Sequence, residues 1–249
     1  MADEPHSMIR AAGLTKRYGA MTALDRLSLE VPRGEILALV GPNGAGKTTA
    51  LKLLVGLLTP TAGDAWLAGC HVARQPLEAK RRLAFLPDQP FLYEQLTVAE
   101  IFGFIGGVYQ LDRAWLRERA EALATTLGLT AVLGRRVGQL SYGMKSRLAL
   151  AASLVHDPQI LILDEPFFGL DPQTLRLMKT LVVERARAGA AIMLSTHQLS
   201  VVEDVAHRIA VLAQGRLVAL GTLAELQRAH GGARLKDVFF QLTTPSPTG

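Results

Sequence analysis

Five consecutive apolar residues, Ile36-Leu37-Ala38-Leu39-Val40, run directly into Gly41-Pro42-Asn43-Gly44-Ala45-Gly46-Lys47-Thr48. So short and unbroken an apolar run suits a strand buried on both faces. The loop reads glycine, four residues, then Gly-Lys-Thr. From 47 to 58 the pattern turns helical, and Thr59-Pro60-Thr61-Ala62-Gly63 ends it. A strand, a glycine-rich loop and a helix start are what a phosphate cradle requires. Backbone N–H groups must turn inward toward phosphate oxygens, which glycines permit. The helix points its positive N-terminal end at the same anion. Lys47 is placed to reach the β- and γ-phosphates, and the Thr48 hydroxyl to ligate Mg²⁺. Asn43, Gly44, Ala45, Gly46, Lys47, Thr48 and Thr49 are the candidate phosphate contacts.

A second apolar run, Ile160-Leu161-Ile162-Leu163, ends in Asp164-Glu165. Parallel strands carry ligand sites at their carboxyl ends. Asp164 is therefore poised to hold Mg²⁺ through a water, and Glu165 to orient and deprotonate an attacking water. Alone, two acids after a strand read as a solvated turn; beside the glycine-rich loop they read as half of a nucleotide site.

Residues 8–40 read as strands with short turns, 27–31 alternating apolar and polar. Further buried strands are expected at 159–163, 190–195 and 209–212, with helices between 159 and 209. Strands alternating with helices imply an α/β layer architecture with a mostly parallel sheet. Residues 97–134 and 141–155 look mostly helical, so the stretch near 91–155 reads as an insertion. The last residues, 243–249, are expected to fray.

Composition excludes several alternatives. The single cysteine, Cys70, rules out an internal disulfide framework, and the six histidines show no metal-ligand spacing. The start, MADEPHSM, is polar and acidic, unlike an export signal. No apolar run approaches the roughly 18 residues that suggest a membrane span, so this chain alone is not expected to form a path across a bilayer. The net charge of +5 comes without a dense basic block, which favours a mildly basic soluble protein over a nucleic-acid binder.

Leu140-Ser141-Tyr142-Gly143-Met144 resembles the signature motif of the ABC ATPase family, usually written Leu-Ser-Gly-Gly-Gln. It precedes Asp164 in the expected order and opens a helix. Ser141 and the Gly143 N–H at a helix N-terminus make a second anion site. The resemblance covers about residues 8 to 225. It implies a P-loop NTPase (RecA-like) core with an N-terminal antiparallel β subdomain and an inserted α-helical subdomain. In residues, that is an ABC ATPase domain over 8–225, with core and β subdomain at 8–90 and 156–225 and the helical subdomain at 91–155. Residues 226–249 are left as an extension or tail.

The resemblance also implies a head-to-tail dimer, in which the signature of one copy caps the γ-phosphate held on the P-loop of the other. Tyr18 sits where the family stacks an aromatic on adenine. Gly169-Leu170-Asp171-Pro172 is similar to the D-loop joining the two sites, and His197, in Ser195-Thr196-His197, to the switch histidine that contacts the γ-phosphate. Residues 204–208 and Gln214-Gly215-Arg216 resemble the closing strands and hairpin, with no chemistry implied.

Two departures stand out. The Q-loop, usually Leu-Pro-Gln, reads Leu86-Pro87-Asp88-Gln89, so either Asp88 or Gln89 takes the role of the family's metal- and water-contacting glutamine. The signature carries Tyr142 and Met144 while keeping Ser141 and Gly143. Aromatics at 85–93 and 102–104 either fill the helical subdomain's core or form the groove that takes a short helix of a membrane subunit.

The resemblance thus implies ATP and Mg²⁺ as ligands and a second copy plus transmembrane permease subunits as partners, with no nucleic acid. It implies a cytoplasmic location, peripheral on the inner face of the membrane, and an export-type transporter with separate membrane subunits. Two rival readings remain: a soluble ABC ATPase acting on ribosomes or nucleic acid, and a regulatory cassette with little turnover.

Overall fold

The computed structural model describes residues 7–244. Two sheets form. In the smaller, β1 (Ile9–Tyr18), β2 (Met21–Val31), β4 (Ala62–Leu67) and β5 (Cys70–His71) pair antiparallel in the order β2-β1-β4-β5. In β2 the expected alternation holds, with Leu27, Leu29 and Val31 buried and Ser28 and Glu30 exposed.

The larger sheet runs β10-β9-β3-β8-β7-β6, comprising β3 (Ile36–Val40), β6 (Leu83–Leu86), β7 (Ile160–Asp164), β8 (Ala191–Ser195), β9 (Arg208–Ala213) and β10 (Arg216–Gly221). All its pairings are parallel except β9 with β10. Every residue of β3, β7 and β8 is buried, which explains their unbroken apolar character. Successive side chains point to opposite faces. Ile36, Ala38 and Val40 join a core shared with the helical segment, while Leu37 and Leu39 join the core beneath the small sheet.

Helices α1 (Lys47–Leu54) and α2 (Pro76–Arg81) lie before and between the small-sheet strands and β6. Between β6 and β7 come α3 (Val98–Val108), α4 (Arg113–Thr126) and α5 (Tyr142–Leu154), the helical insertion the sequence suggested. Thr97 and Glu100 cap α3 reciprocally and Asp112 caps α4. Helices α6 (Pro172–Arg187) and α7 (Leu199–Val205) connect the remaining strands.

Five readings of the sequence need correction. Helix α1 stops at Leu54, not at 58, because Gly56 takes φ 70° and turns the chain. Strands β4 to β6 and helix α2 went unread. Residues 204–208 are not all strand, since Asp204 lies in α7. The boundary at 226 cuts α8 (Leu223–Ala229), and α9 (Leu235–Thr243) follows it. Leu226, Leu235 and Val238 are buried in the main core, so this end packs rather than trails. Thr243 closes α9 instead of fraying; residues 245–249, like the start at 1–6, lie outside the described residues.

Candidate functional site

Strands β3, β6, β7 and β8 are parallel, so their carboxyl ends open on one edge of the sheet. That edge collects Gly41, Asp88, Asp164-Glu165 and Thr196-His197.

Gly46 takes φ 101° and precedes α1 with no side-chain cap. The first-turn N–H groups of α1 are thus not claimed by a capping side chain. A Cβ on Gly46 would lie 2.5 Å from the Ala23 carbonyl oxygen, so β2 presses on the loop where only glycine fits. Behind it, the Gly215 N–H donates to the Ala45 carbonyl at 3.0 Å. Lys47 is buried, and its ammonium donates to the carbonyls of Gly41 (2.7 Å) and Pro42 (3.2 Å). Burial holds its pKa below the usual lysine range, while Glu165 and Asp164 push the other way.

Asp164 is buried, and its Oδ1 accepts the Ser195 hydroxyl at 2.5 Å. The register of β7 on β8 sets Asp164 beside Ser195. The Ser195 Oγ in turn accepts the Glu165 N–H at 3.1 Å. Glu165 has φ 48°, a left-handed conformation uncommon for a residue with a side chain. Its Oε2 accepts the His197 backbone N–H (3.3 Å) and lies 3.0 Å from His197 Nδ1. Ser195 was not singled out from the sequence; only the strand register reveals it.

Tyr18, Lys47, Thr48, Asp88 and Glu165 line one cleft of ≈ 680 Å³, together with Asn43, Gly44, Ala45, Gly46 and Thr49. Gln89 is not among its lining residues. Met21 and Thr22 are, although no sequence motif marked them, and so is Gln214, from the hairpin that was given no chemistry. Burial raises the Asp88 pKa above the usual carboxylate range; the Asp164 and Glu165 charges add to this and His197 opposes it.

Ser141, Gly143 and Asp171 do not line that cleft. Ser141 caps α5, its Oγ accepting the Met144 N–H at 3.3 Å. A Cβ on Gly143 would lie 3.2 Å from Asp171 Oδ2, so signature and D-loop pack together. Asp171 caps α6, accepting the Thr174 N–H at 2.9 Å and hydroxyl at 2.7 Å. Those two hydrogen bonds hold its carboxyl below the usual range. The chain therefore presents two separate sets of candidate residues.

Thr48, Asp88 and Asp164 offer only oxygen donors, the set that Mg²⁺ takes. Among the described residues no group of three His, Cys, Asp or Glu side chains could hold a metal. The residues fit a cation that takes its remaining ligands from phosphate and water.

Residues 24–168 match the ABC transporter domain family. The probable multidrug ABC transporter ATP-binding protein YbhF of Escherichia coli (strain K12) is 37% identical over 221 residues, which is 89% of this chain and 38% of that protein. The chain therefore spans well under half of that relative. The linearmycin resistance ATP-binding protein LnrL of Bacillus subtilis (strain 168) is 32% identical, covering 95% of this chain and 75% of that one. The daunorubicin/doxorubicin resistance ATP-binding protein DrrA of Streptomyces peucetius is 36% identical, covering 95% and 72%. A solved ATP-binding subunit of an ABC transporter matches with a TM-score of 0.90 and 33% identity over 95% of this chain and 99% of that one. A dimeric bacterial ABC transporter cassette matches with 0.77 and 25% over 87% and 99%. By sequence and by fold, the chain belongs to the ABC transporter family, as an ATP-binding cassette.

Proposed function

We propose that this chain is an ATPase subunit that powers a membrane transporter, and that two copies close around two ATP molecules. One observation carries the reading. Tyr18, residues 43–49, Asp88 and Glu165 share one cleft, with Asp164 and His197 tied to Glu165 just behind it, whereas Ser141, Gly143 and Asp171 sit together and do not line it. A second anion site that cannot reach the first nucleotide serves one held by another copy.

Tyr18, exposed at the cleft wall, stacks on the adenine. The N–H groups of residues 43–49 bind the phosphates, and Lys47 exchanges the Gly41 and Pro42 carbonyls for phosphate oxygens. Thr48, Asp164 and Asp88 would hold Mg²⁺, with Asp88 preferred to Gln89 because it lines the cleft. When bound, Mg²⁺ supplies charge neutralisation on the phosphates. Glu165 takes a proton from a water as the water oxygen bonds to the γ-phosphorus and the bond to the β–γ bridging oxygen breaks, leaving ADP and phosphate. Ser195 keeps Asp164 and the Glu165 backbone in register. His197 parks the Glu165 carboxylate between turnovers and turns to the γ-phosphate on closure.

Residues 91–155 work as a helical unit of this domain and carry the membrane contact. Phe91, Tyr93 and Phe104 are exposed and meet edge to face, with centroids 5.4 and 5.2 Å apart. They border a groove of ≈ 410 Å³ beside Pro87, which suits a short helix of a transmembrane permease subunit. The cassette then works peripherally on the cytoplasmic face of the membrane, as an export-type subunit. The relatives named for drug resistance support that reading.

The deciding experiment is light scattering of Glu165→Gln with and without ATP, beside a turnover assay. The variant should bind ATP, become a dimer only with ATP, and turn over about a thousandfold slower. Normal turnover removes Glu165 as the base. A stable monomer with bound ATP refutes a shared site formed by the cassette alone.

A further inference from the structure

Among the described residues, three buried side-chain nitrogens have no hydrogen-bond partner: Arg119 Nε, Arg185 Nε and His156 Nδ1. All three belong to one junction, where the helical insertion returns to the sheet after α5. At its centre is Asp157, held at φ 53°. A single oxygen, Asp157 Oδ1, accepts from Arg119 on α4 and from Arg185 on α6, each at 2.9 Å. Arg185 also donates to the Pro158 carbonyl at 3.1 Å. Next to it, His156 Nε2 lies 3.0 Å from the Leu83 carbonyl, and its ring stacks on Tyr109 at 3.8 Å. The apolar face of α5 packs on the sheet core, and His156 and Asp157 add the polar ties between helical segment and sheet core at its C-terminal end.

This junction sits at the C-terminal end of α5; Ser141 and Gly143 sit at the other. At the signature end, α5 packs through Gly143 against Asp171 and Thr174 at the start of α6, and it is also tied to its helical neighbours. Arg147 donates to the Leu127 carbonyl at 3.1 Å and Lys145 pairs with Glu94 at 2.6 Å. With 13 residues, α5 is a lever of about 20 Å. A tilt of about 5° at the junction moves the far end by about 1.7 Å. A binding constellation tolerates about 0.5 Å. The aim of Ser141 and Gly143 must therefore hold to about a degree or two, and the junction contributes to it together with the core packing of α5 and the contact of Gly143 with Asp171.

We propose that Asp157 is a positioning residue. By gripping Arg119 and Arg185 through one carboxylate oxygen, it fixes the direction of α5 and so where Ser141 and Gly143 meet the nucleotide of a second copy. The proposal rests on the shared-site reading. Half-exposed ion pairs contribute little to global stability, so the grip matters for direction more than for folding. The nucleotide cleft lies on the other side of the hinge and should not feel its loss.

The test uses Arg119→Met, which removes the arm on the helical side, in the Glu165→Gln background. ATP affinity of the monomer should stay within about twofold, while half-dimerisation with ATP should need on the order of tenfold more protein. Arg119→Lys should recover most of the loss. Dimerisation as tight as the parent's overturns the proposal. The second measurement does not depend on dimers: electron–electron resonance between spin labels at Leu57 and Gly134, both exposed, with Cys70→Ser. Arg119→Met should broaden the distance distribution by on the order of 2 Å, and an unchanged width overturns the proposal. If Glu165→Gln itself stays monomeric, the shared-site reading falls while the distance arm still decides the role of Asp157.

Discussion

Helices α1 and α5 both begin at a candidate phosphate site, and they are built in opposite ways. Helix α1 is fed by a fully buried strand, starts at an uncapped glycine, and carries a buried lysine in its first turn. Its unclaimed N–H groups and its cation are fixed by the core before any ligand arrives. Helix α5 starts on an exposed loop, and its serine already serves as a cap. Its neighbour Asp171 is likewise occupied, capping α6. The first terminus is a complete cradle. The second has its Met144 N–H claimed by the cap and carries no cation in its first turn before Lys145, so it offers an anion the Ser141 hydroxyl proton and the Gly143 N–H. Affinity should therefore reside in α1 and cooperativity between copies in α5.

The most forceful way to break this contrast is Lys47→Ala. Losing a charge-assisted hydrogen bond at a buried position costs about 1.5–3 kcal/mol, or roughly 10- to 100-fold in ATP affinity. Calorimetric titration of the monomer reads it directly. Unchanged affinity would mean that α1 is not the main anchor and the contrast fails at its root.

The two termini also differed in how far they could be read from the sequence. For α1 nearly everything is local: the apolar run 36–40, the spacing of glycines and Lys47 lie within a dozen or so residues, and the structure places residues 43–49 on one cleft. Around α5 the motif was legible, but what holds it was not. Arg119, Asp157 and Arg185 are far apart in sequence and meet only through the packing of α4 and α6. Ser195 escaped for the same reason, because its contact with Asp164 depends on strand register. Strand β4 was hidden by Pro60 and Gly63, which read as a helix stop although the strand begins at Ala62. Helix α8 carried a legible signal that went unused: Thr222 and Glu225 form a capping box.

A smaller effect sharpens the α1 side. The cleft contains Asp88 but not Gln89. Asp88→Ala should lower Mg²⁺-dependent turnover on the order of tenfold, as loss of a metal-site contact does, whereas Gln89→Ala should change it less than about twofold. Titrating Mg²⁺ against turnover for both variants separates them. The reverse order would assign the contact to Gln89 after a shift of the loop.

The smallest effect bears on α5 itself. Ser141→Ala removes a helix cap, and the cap bond is long at 3.3 Å. The stability cost should therefore lie near the low end of the usual range, about 0.5 kcal/mol, as read by denaturant unfolding. ATP affinity of the monomer should not change, since Ser141 does not line the cleft. ATP-dependent dimerisation in the Glu165→Gln background should weaken about fivefold, the worth of one hydrogen bond of about 1 kcal/mol. The two readouts pull the roles apart. A drop in stability with dimerisation intact makes Ser141 a cap and nothing more. Weaker dimerisation with nearly unchanged stability shows that the hydroxyl donates its proton to the partner's phosphate, which the cap bond permits because it uses only a lone pair of the oxygen.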